Sequence, residues 1–221
     1  IGGSQKVAAY AHYDGVKFGE WNNIETGNIS IEELKNYTLC STIDIESRKP
    51  YPYSDSLAVG NATDREGNLF IFAKENNVSK IIKFDLKNEY FEEVEIPEGM
   101  KISRDAAAVG LADAKILITG GLDFEKGNAV VNNKAFLYSP HTNKVKQINP
   151  MLTCRYEHSL VMLDKYIYAI GGKEFFKNAK SYLASCERLN LKTLEWEYTA
   201  SLSIARSDFG ACALGNAIYV I

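Results

Sequence analysis

The stretch Arg155-Tyr156-Glu157-His158-Ser159-Leu160-Val161-Met162-Leu163-Asp164-Lys165-Tyr166-Ile167-Tyr168-Ala169-Ile170-Gly171-Gly172 decides the architecture. Its apolar residues fall into two short runs, His158 to Leu163 and Tyr166 to Ile170, parted by Asp164 and Lys165. Two β-rich runs separated by a short polar step predict an antiparallel hairpin. The double glycine predicts a sharp change of chain direction, because glycine accepts positive φ at no steric cost.

The same design recurs on either side. Arg104, Arg155 and Arg206 stand 51 residues apart. Upstream runs Ile116-Leu117-Ile118-Thr119-Gly120-Gly121, and downstream Ala217-Ile218-Tyr219-Val220-Ile221. A period near fifty marks a repeat architecture in which each unit buries its apolar face on the next. Large residues keep a second slot: Trp196 follows Leu189 by seven residues, and Phe91 follows Phe84 by seven. Val145 takes that slot in the copy between and fills it poorly.

An arginine, an alternating strand, Tyr166-Ile167-Tyr168-Ala169-Ile170-Gly171-Gly172, a variable loop, a further strand, a turn and a tryptophan resemble the kelch repeat. The resemblance implies an all-β fold, a kelch-type β-propeller of four-stranded antiparallel blades. It runs strongly through residues 104–221 and weakly before them. The residues that carry it are Gly2, Gly3, Trp21, Gly120, Gly121, Tyr138, Gly171, Gly172 and Trp196.

About four blade periods are present within one propeller domain. They read as a half blade at 1–24, an inserted loop at 25–53, blades at 54–99, 100–151 and 152–203, and a half blade at 204–221. The half blades have two possible fates. They can pair into one shared blade, as propellers often seal their ring, or each can belong to a larger, six-bladed ring; the usual kelch architecture favours the larger ring. The opening Ile1-Gly2-Gly3 reads as the end of a second strand, so a preceding segment is expected. In the insertion, Ser30-Ile31-Glu32-Glu33 fits a capping box and predicts a short helix over 31–37. Ala73-Lys74 stand where other copies have the double glycine, so the chain is expected to run differently there.

Composition sets outer limits. With 46% apolar residues, 24% charged residues and a net charge of -3, the chain has the balance of a globular protein and lacks the basic excess of a nucleic-acid binder. No apolar run is long enough for a membrane span. Cys40, Cys154, Cys186 and Cys212 show no paired spacing, which fits neither a zinc site nor a disulfide framework. The reading is therefore cytoplasmic, and the sequons at Asn28, Asn36, Asn61 and Asn77 are read as silent.

Strand direction alternates through a blade, so the loop after strand two and the connection after strand four emerge on one face. The variable stretches 122–133 and 173–184 and the insertion all fall there. Recognition concentrates on variable loops of a rigid scaffold, and this face is expected to bind a protein partner. Arg104, Arg155 and Arg206 lie beside it, and the resemblance implies that arginines there can hold acidic segments. The plainer alternative has each arginine pairing inside its blade. Phe175 and Phe176 read equally as exposed anchors or as a cover for the ring edge.

No enzyme and no cofactor are expected. A copper site of the galactose oxidase type needs convergent ligands, and His12, His141 and His158 fall at unrelated places in the repeat. The resemblance implies a protein-interaction scaffold in a cytoskeletal or ciliary assembly, or the substrate-recognition propeller of a cullin-type ubiquitin-ligase adaptor.

Overall fold

The computed structural model describes residues 7–12, 22–25, 57–63, 68–75, 78–85, 90–176 and 179–221. In chain order the strands are β1 (Val7–His12), β2 (Asn22–Glu25), β3 (Leu57–Thr63), β4 (Leu69–Glu75), β5 (Val78–Asp85), β6 (Tyr90–Val94), β7 (Ala107–Gly110), β8 (Ile116–Thr119), β9 (Leu122–Glu125) and β10 (Asn128–Val131). They continue as β11 (Ala135–Ser139), β12 (Lys144–Ile148), β13 (Ser159–Leu163), β14 (Tyr166–Ile170), β15 (Lys173–Phe176), β16 (Ala179–Tyr182), β17 (Cys186–Asn190), β18 (Trp196–Thr199), β19 (Ala211–Leu214) and β20 (Ala217–Val220). Gly2, Gly3, Trp21 and the expected helix over 31–37 lie outside the described residues.

Three four-stranded antiparallel sheets keep their strands in chain order: β3-β4-β5-β6, β7-β8-β11-β12 and β13-β14-β17-β18. These are blades two, three and four. The fourth sheet has the order β19-β20-β1-β2, with Tyr10 opposite Tyr219 and His12 opposite Ala217. Strands from near the two ends of the given sequence, β1 and β20, thus pair within this sheet. The first strands meet across blades, β3 with β7, β7 with β13 and β13 with β19, and so line the centre.

The core lies between blades. Phe70, Phe72, Ile81, Ile102, Ile116 and Tyr138 fill the space between blades two and three. Leu117, Ile148, Met151, Ile167, Leu189 and Trp196 fill the next. Val161, Tyr168, Ile170, Leu202, Ile218 and Val220 join blade four to the shared sheet. Strands buried on both faces explain why Tyr166–Ile170 reads as an unbroken apolar run and is buried throughout.

The poor fit of Val145 has a structural answer. Val145 pairs with Tyr138 across β11 and β12, whereas Trp196 pairs with Leu189 across β17 and β18. The bulky ring has crossed to the partner strand: Tyr138 is fully buried and meets Phe70 and Phe72 edge-on at 6.2 and 6.0 Å. Blade three therefore keeps the volume of the slot with the large and small residues exchanged.

Blade two also runs differently where its glycines are missing. Ala73 and Lys74 continue β4 and pair with Lys80 and Ser79 of β5, so strand two runs straight into strand three. In blades three and four the double glycine turns the chain aside instead, and an outer hairpin follows, β9/β10 or β15/β16. The variable stretches expected to be loops are thus small two-stranded sheets.

Candidate functional site

Gly120 has φ +64 and Gly171 has φ +57. A Cβ on Gly120 would stand 2.3 Å from the Arg155 carbonyl oxygen, and one on Gly171 2.6 Å from that of Arg206. Close approach of backbones thus excludes a side chain at either place. The following amides use the contact: Gly121 N–H donates to Arg155 O at 2.9 Å and Gly172 N–H to Arg206 O at 2.8 Å. Each glycine pair therefore clamps the first-strand entry of the next blade.

At that entry Arg155 is fully buried. Its guanidinium donates to Gly171 O at 2.6 Å, Ser185 O at 3.0 Å and Glu187 Oε1 at 2.8 Å. Glu187, also fully buried, accepts from the amides of Leu152 and Thr153 at 2.6 and 3.2 Å. This corrects the expectation that Arg155 binds a partner. Its charge is spent inside blade four, tying the incoming connection to strand three.

Arg104 is not the counterpart of Arg155 in space. Ile170 faces Ser159 as Thr119 faces Ala107; the first pair differs by 170 − 119 = 51 and the second by 159 − 107 = 52. The turn enclosed by Leu111 and Lys115 holds one residue more than that enclosed by Leu163 and Tyr166. Arg104 consequently bridges Leu122 as Tyr156 bridges Lys173, and Ser103 falls in the place of Arg155. There Ser103 Oγ donates to Asp123 at 2.7 Å and accepts from Asn132 Nδ2 at 2.9 Å.

The displaced Arg104 is half-buried, with its guanidinium 5.7 Å over the Phe124 ring. In blade four Tyr156 stacks on Phe175 at 5.9 Å with 12° between the planes. Phe124 and Phe175 stand 51 apart, so the repeat that displayed Phe175 also marks Phe124. Phe175 is half-buried, whereas Phe124 is 52% exposed and Tyr182 59% exposed. The side chain of Phe176 lies outside the described residues. Lys173 Nζ stands 5.2 Å from the Tyr182 ring. Arg206 is half-buried, and burial pulls its guanidinium below the ordinary value.

Between these groups runs a set of acids the sequence reading missed. Asp105, Glu157 and Asp208 have φ +54, +51 and +54. The Glu157 amide donates to Asp105 O at 2.9 Å and the Asp208 amide to Glu157 O at 3.0 Å, linking successive blades around the centre. Burial raises the Asp105 carboxyl above its ordinary value; the charges of Glu157 and Asp208 push the same way, and Arg104 and Lys173 oppose. Glu157 is ion-paired with Lys173. The signal was available: an acid follows each arginine by one or two residues.

His158 lies against the clamp glycines Gly120 and Gly172. Its Nε2 is 2.8 Å from Thr119 Oγ1, linking blades four and three. Burial, with the Arg155 charge adding, holds its imidazole well below the ordinary value. His141 is exposed in the turn between β11 and β12. Among the described residues no group of three His, Cys, Asp or Glu side chains is placed to hold a metal ion, and no helix is long and apolar enough to cross a membrane. Cys154 is exposed, Cys186 buried and Cys212 half-buried; Cys40 lies outside the described residues.

Residues 154–203 match the Kelch motif. Kelch repeat and BTB domain-containing protein 2 of cowpox virus (strain GRI-90 / Grishak) is 30% identical over 114 residues, which cover 52% of this chain and 19% of that protein. Kelch-like protein 26 of Homo sapiens is 28% identical over 123 residues, 55% of this chain and 19% of its own length. The chain thus aligns with only a minor part of these relatives. The solved structure of YjhT shares the fold, with a TM-score of 0.60 at 14% identity over 76% of this chain and 56% of that one. Together with the repeat, the glycine clamps and the four-stranded antiparallel sheets, these likenesses show a chain similar to kelch-repeat proteins over residues 154–203 and folded as blades of a kelch-type β-propeller.

Proposed function

We propose that the chain is a non-catalytic protein-interaction scaffold whose partner docks on the face carrying β9/β10 and β15/β16. The observation that carries the reading is that both outer hairpins present an exposed aromatic ring beside a cation, Phe124 with Arg104 and Tyr182 with Lys173. Aromatic and arginine side chains of this kind anchor protein interfaces. Arg104 and Arg206 remain the arginines of the original set with exposed surface. In this reading the scaffold serves a cytoskeletal or ciliary assembly in the cytoplasm. The BTB domain in the name of the cowpox relative favours a second reading, the substrate-recognition propeller of a cullin-type ubiquitin-ligase adaptor.

Affinity capture of the full-length protein, compared with its Phe124→Ser/Tyr182→Ser variant, separates these outcomes. Cytoskeletal or axonemal companions in fixed ratio support the scaffold, and cullin subunits support the adaptor. In either case the variant is expected to lose the companions that dock on the hairpin face. Undiminished capture by the variant would move the site elsewhere, and capture of no companion at all would overturn the interaction reading.

A further inference from the structure

We propose that the face opposite the hairpins carries a second docking site, an interblade groove that takes a bulky apolar side chain from a partner segment with flanking carboxylates. The groove, about 590 Å³ in volume, opens between blades three and four. Leu111 and Leu137 form its wall on blade three, and Met162, Leu191 and Leu194 on blade four, all of them half-buried. That volume is in the range of sites that hold a small ligand or a few side chains. Lys115, Lys144 and Lys146 stand on the rim with Asp113, and Asp113 is ion-paired with Lys115. The rim therefore carries a net positive charge around an aliphatic floor.

Leu194 distinguishes this groove from a mere gap between blades. Its φ is +59, a region in which the Cβ of leucine crowds the following carbonyl. One period earlier, at 194 − 51 = 143, the chain has Asn143 with φ +47. Asparagine reaches that region with far less strain, so the turn itself asks only for an asparagine. Blade four instead accepts a strained leucine whose side chain packs in part on the interblade core and in part lines the groove wall, half-exposed. A residue held in an unfavourable conformation points to a use for its side chain, and the surface offered here is apolar. The two lysines beside it, Lys144 and Lys146, are exposed and favour an acidic neighbour in the partner.

Random dodecapeptides displayed on phage, selected on the full chain and counter-selected on its K144E/K146E variant, test the proposal. The expected consensus places Leu, Phe or Trp within a few residues of Asp or Glu. A fluorescein-labelled consensus peptide, followed by anisotropy, is expected to lose about tenfold or more in affinity on K144E/K146E and on Leu194→Asn. K144E/K146E should melt no lower than the parent, since the lysines are exposed, and Leu194→Asn close to it, since relief of the turn offsets the packing lost against the interblade core; if the double variant misfolds, Leu194→Asn alone decides. No enrichment, a basic consensus, or binding lost on Phe124→Ser/Tyr182→Ser instead of these variants overturns the proposal. A concentration-dependent dimer abolished by the same changes would assign the groove to a second copy and overturn it equally.

Discussion

Two buried residues near the glycine clamp answer to different physics. At Gly171 the difficulty is space: Gly171→Val brings a β-branched side chain to φ +57 and against the Arg206 carbonyl. The strain alone costs about 1–3 kcal/mol, and urea unfolding should show a loss at least that large. At Arg155 the difficulty is charge. Arg155→Met leaves the Glu187 carboxylate buried with only two backbone amides, and a loss of about 3–5 kcal/mol is expected. Arg155→Met/Glu187→Gln should recover part of it, because the uncompensated charge is gone. A partner-binding defect in a fully stable Arg155→Met protein would contradict the internal role.

His158 adds a pH dependence. Its imidazole is held neutral in the folded state, while in the unfolded chain it protonates below about 6.5. The unfolded state then binds the extra proton, so stability contributed by this group is present above about 6.5 and falls as pH drops below it. The slope for one group is at most about 1.4 kcal/mol per pH unit. His158→Phe should flatten that part of the stability curve between about pH 6.5 and 5, as measured by denaturation at each pH. Phenylalanine is the residue of the equivalent place in the shared sheet, Phe209, which lies against Gly171 as His158 lies against Gly120.

At the scale of the element, the strand pairs β11/β12 and β17/β18 show how a repeat tolerates drift. The large residue is Tyr138 on one and Trp196 on the other, each opposite a smaller partner. Tyr138→Leu should cost about 2–4 kcal/mol by opening a cavity against Phe70 and Phe72. Tyr138→Leu/Val145→Trp should cost less than the sum of its single changes, by about 0.5–3 kcal/mol in a double-mutant cycle. Strict additivity would mean that the two positions do not share one volume. The glycine pairs act at the same scale: where Ala73-Lys74 replace them the strand continues, and where they are kept an outer hairpin leaves the blade.

For the whole molecule the decisive pairing is β1 with β20. It turns two half blades into one sheet and covers an edge that would otherwise display unpaired amides and carbonyls. Removing residues 1–25 should lower the melting midpoint by several degrees, on the scale of about 2–4 °C per kcal/mol for a chain of this size, and promote self-association. An unchanged midpoint in calorimetry would argue that the sheet contributes nothing to stability.

Much of this was legible in the residues. The hairpin at 158–170, the glycine clamp and the blade-forming period follow from local chemistry: alternation, turn residues and freedom at positive φ are properties of neighbours in the chain. The face bearing the variable stretches followed from strand alternation alone. Space decided what the period could not. One extra residue in the turn at 112–114 slid Arg104 out of the place of Arg155, although counting along the chain makes them equivalent. Whether an arginine is a ligand hook or a buried strut depends on a carboxylate 32 residues away, Glu187, which no local pattern announces. The acids at 105, 157 and 208 meet only because successive blades hand their backbones around a centre. Sequence thus determined the unit and its period, since these rest on short-range sterics, and tertiary structure decided partners and charges, since these rest on contacts between units.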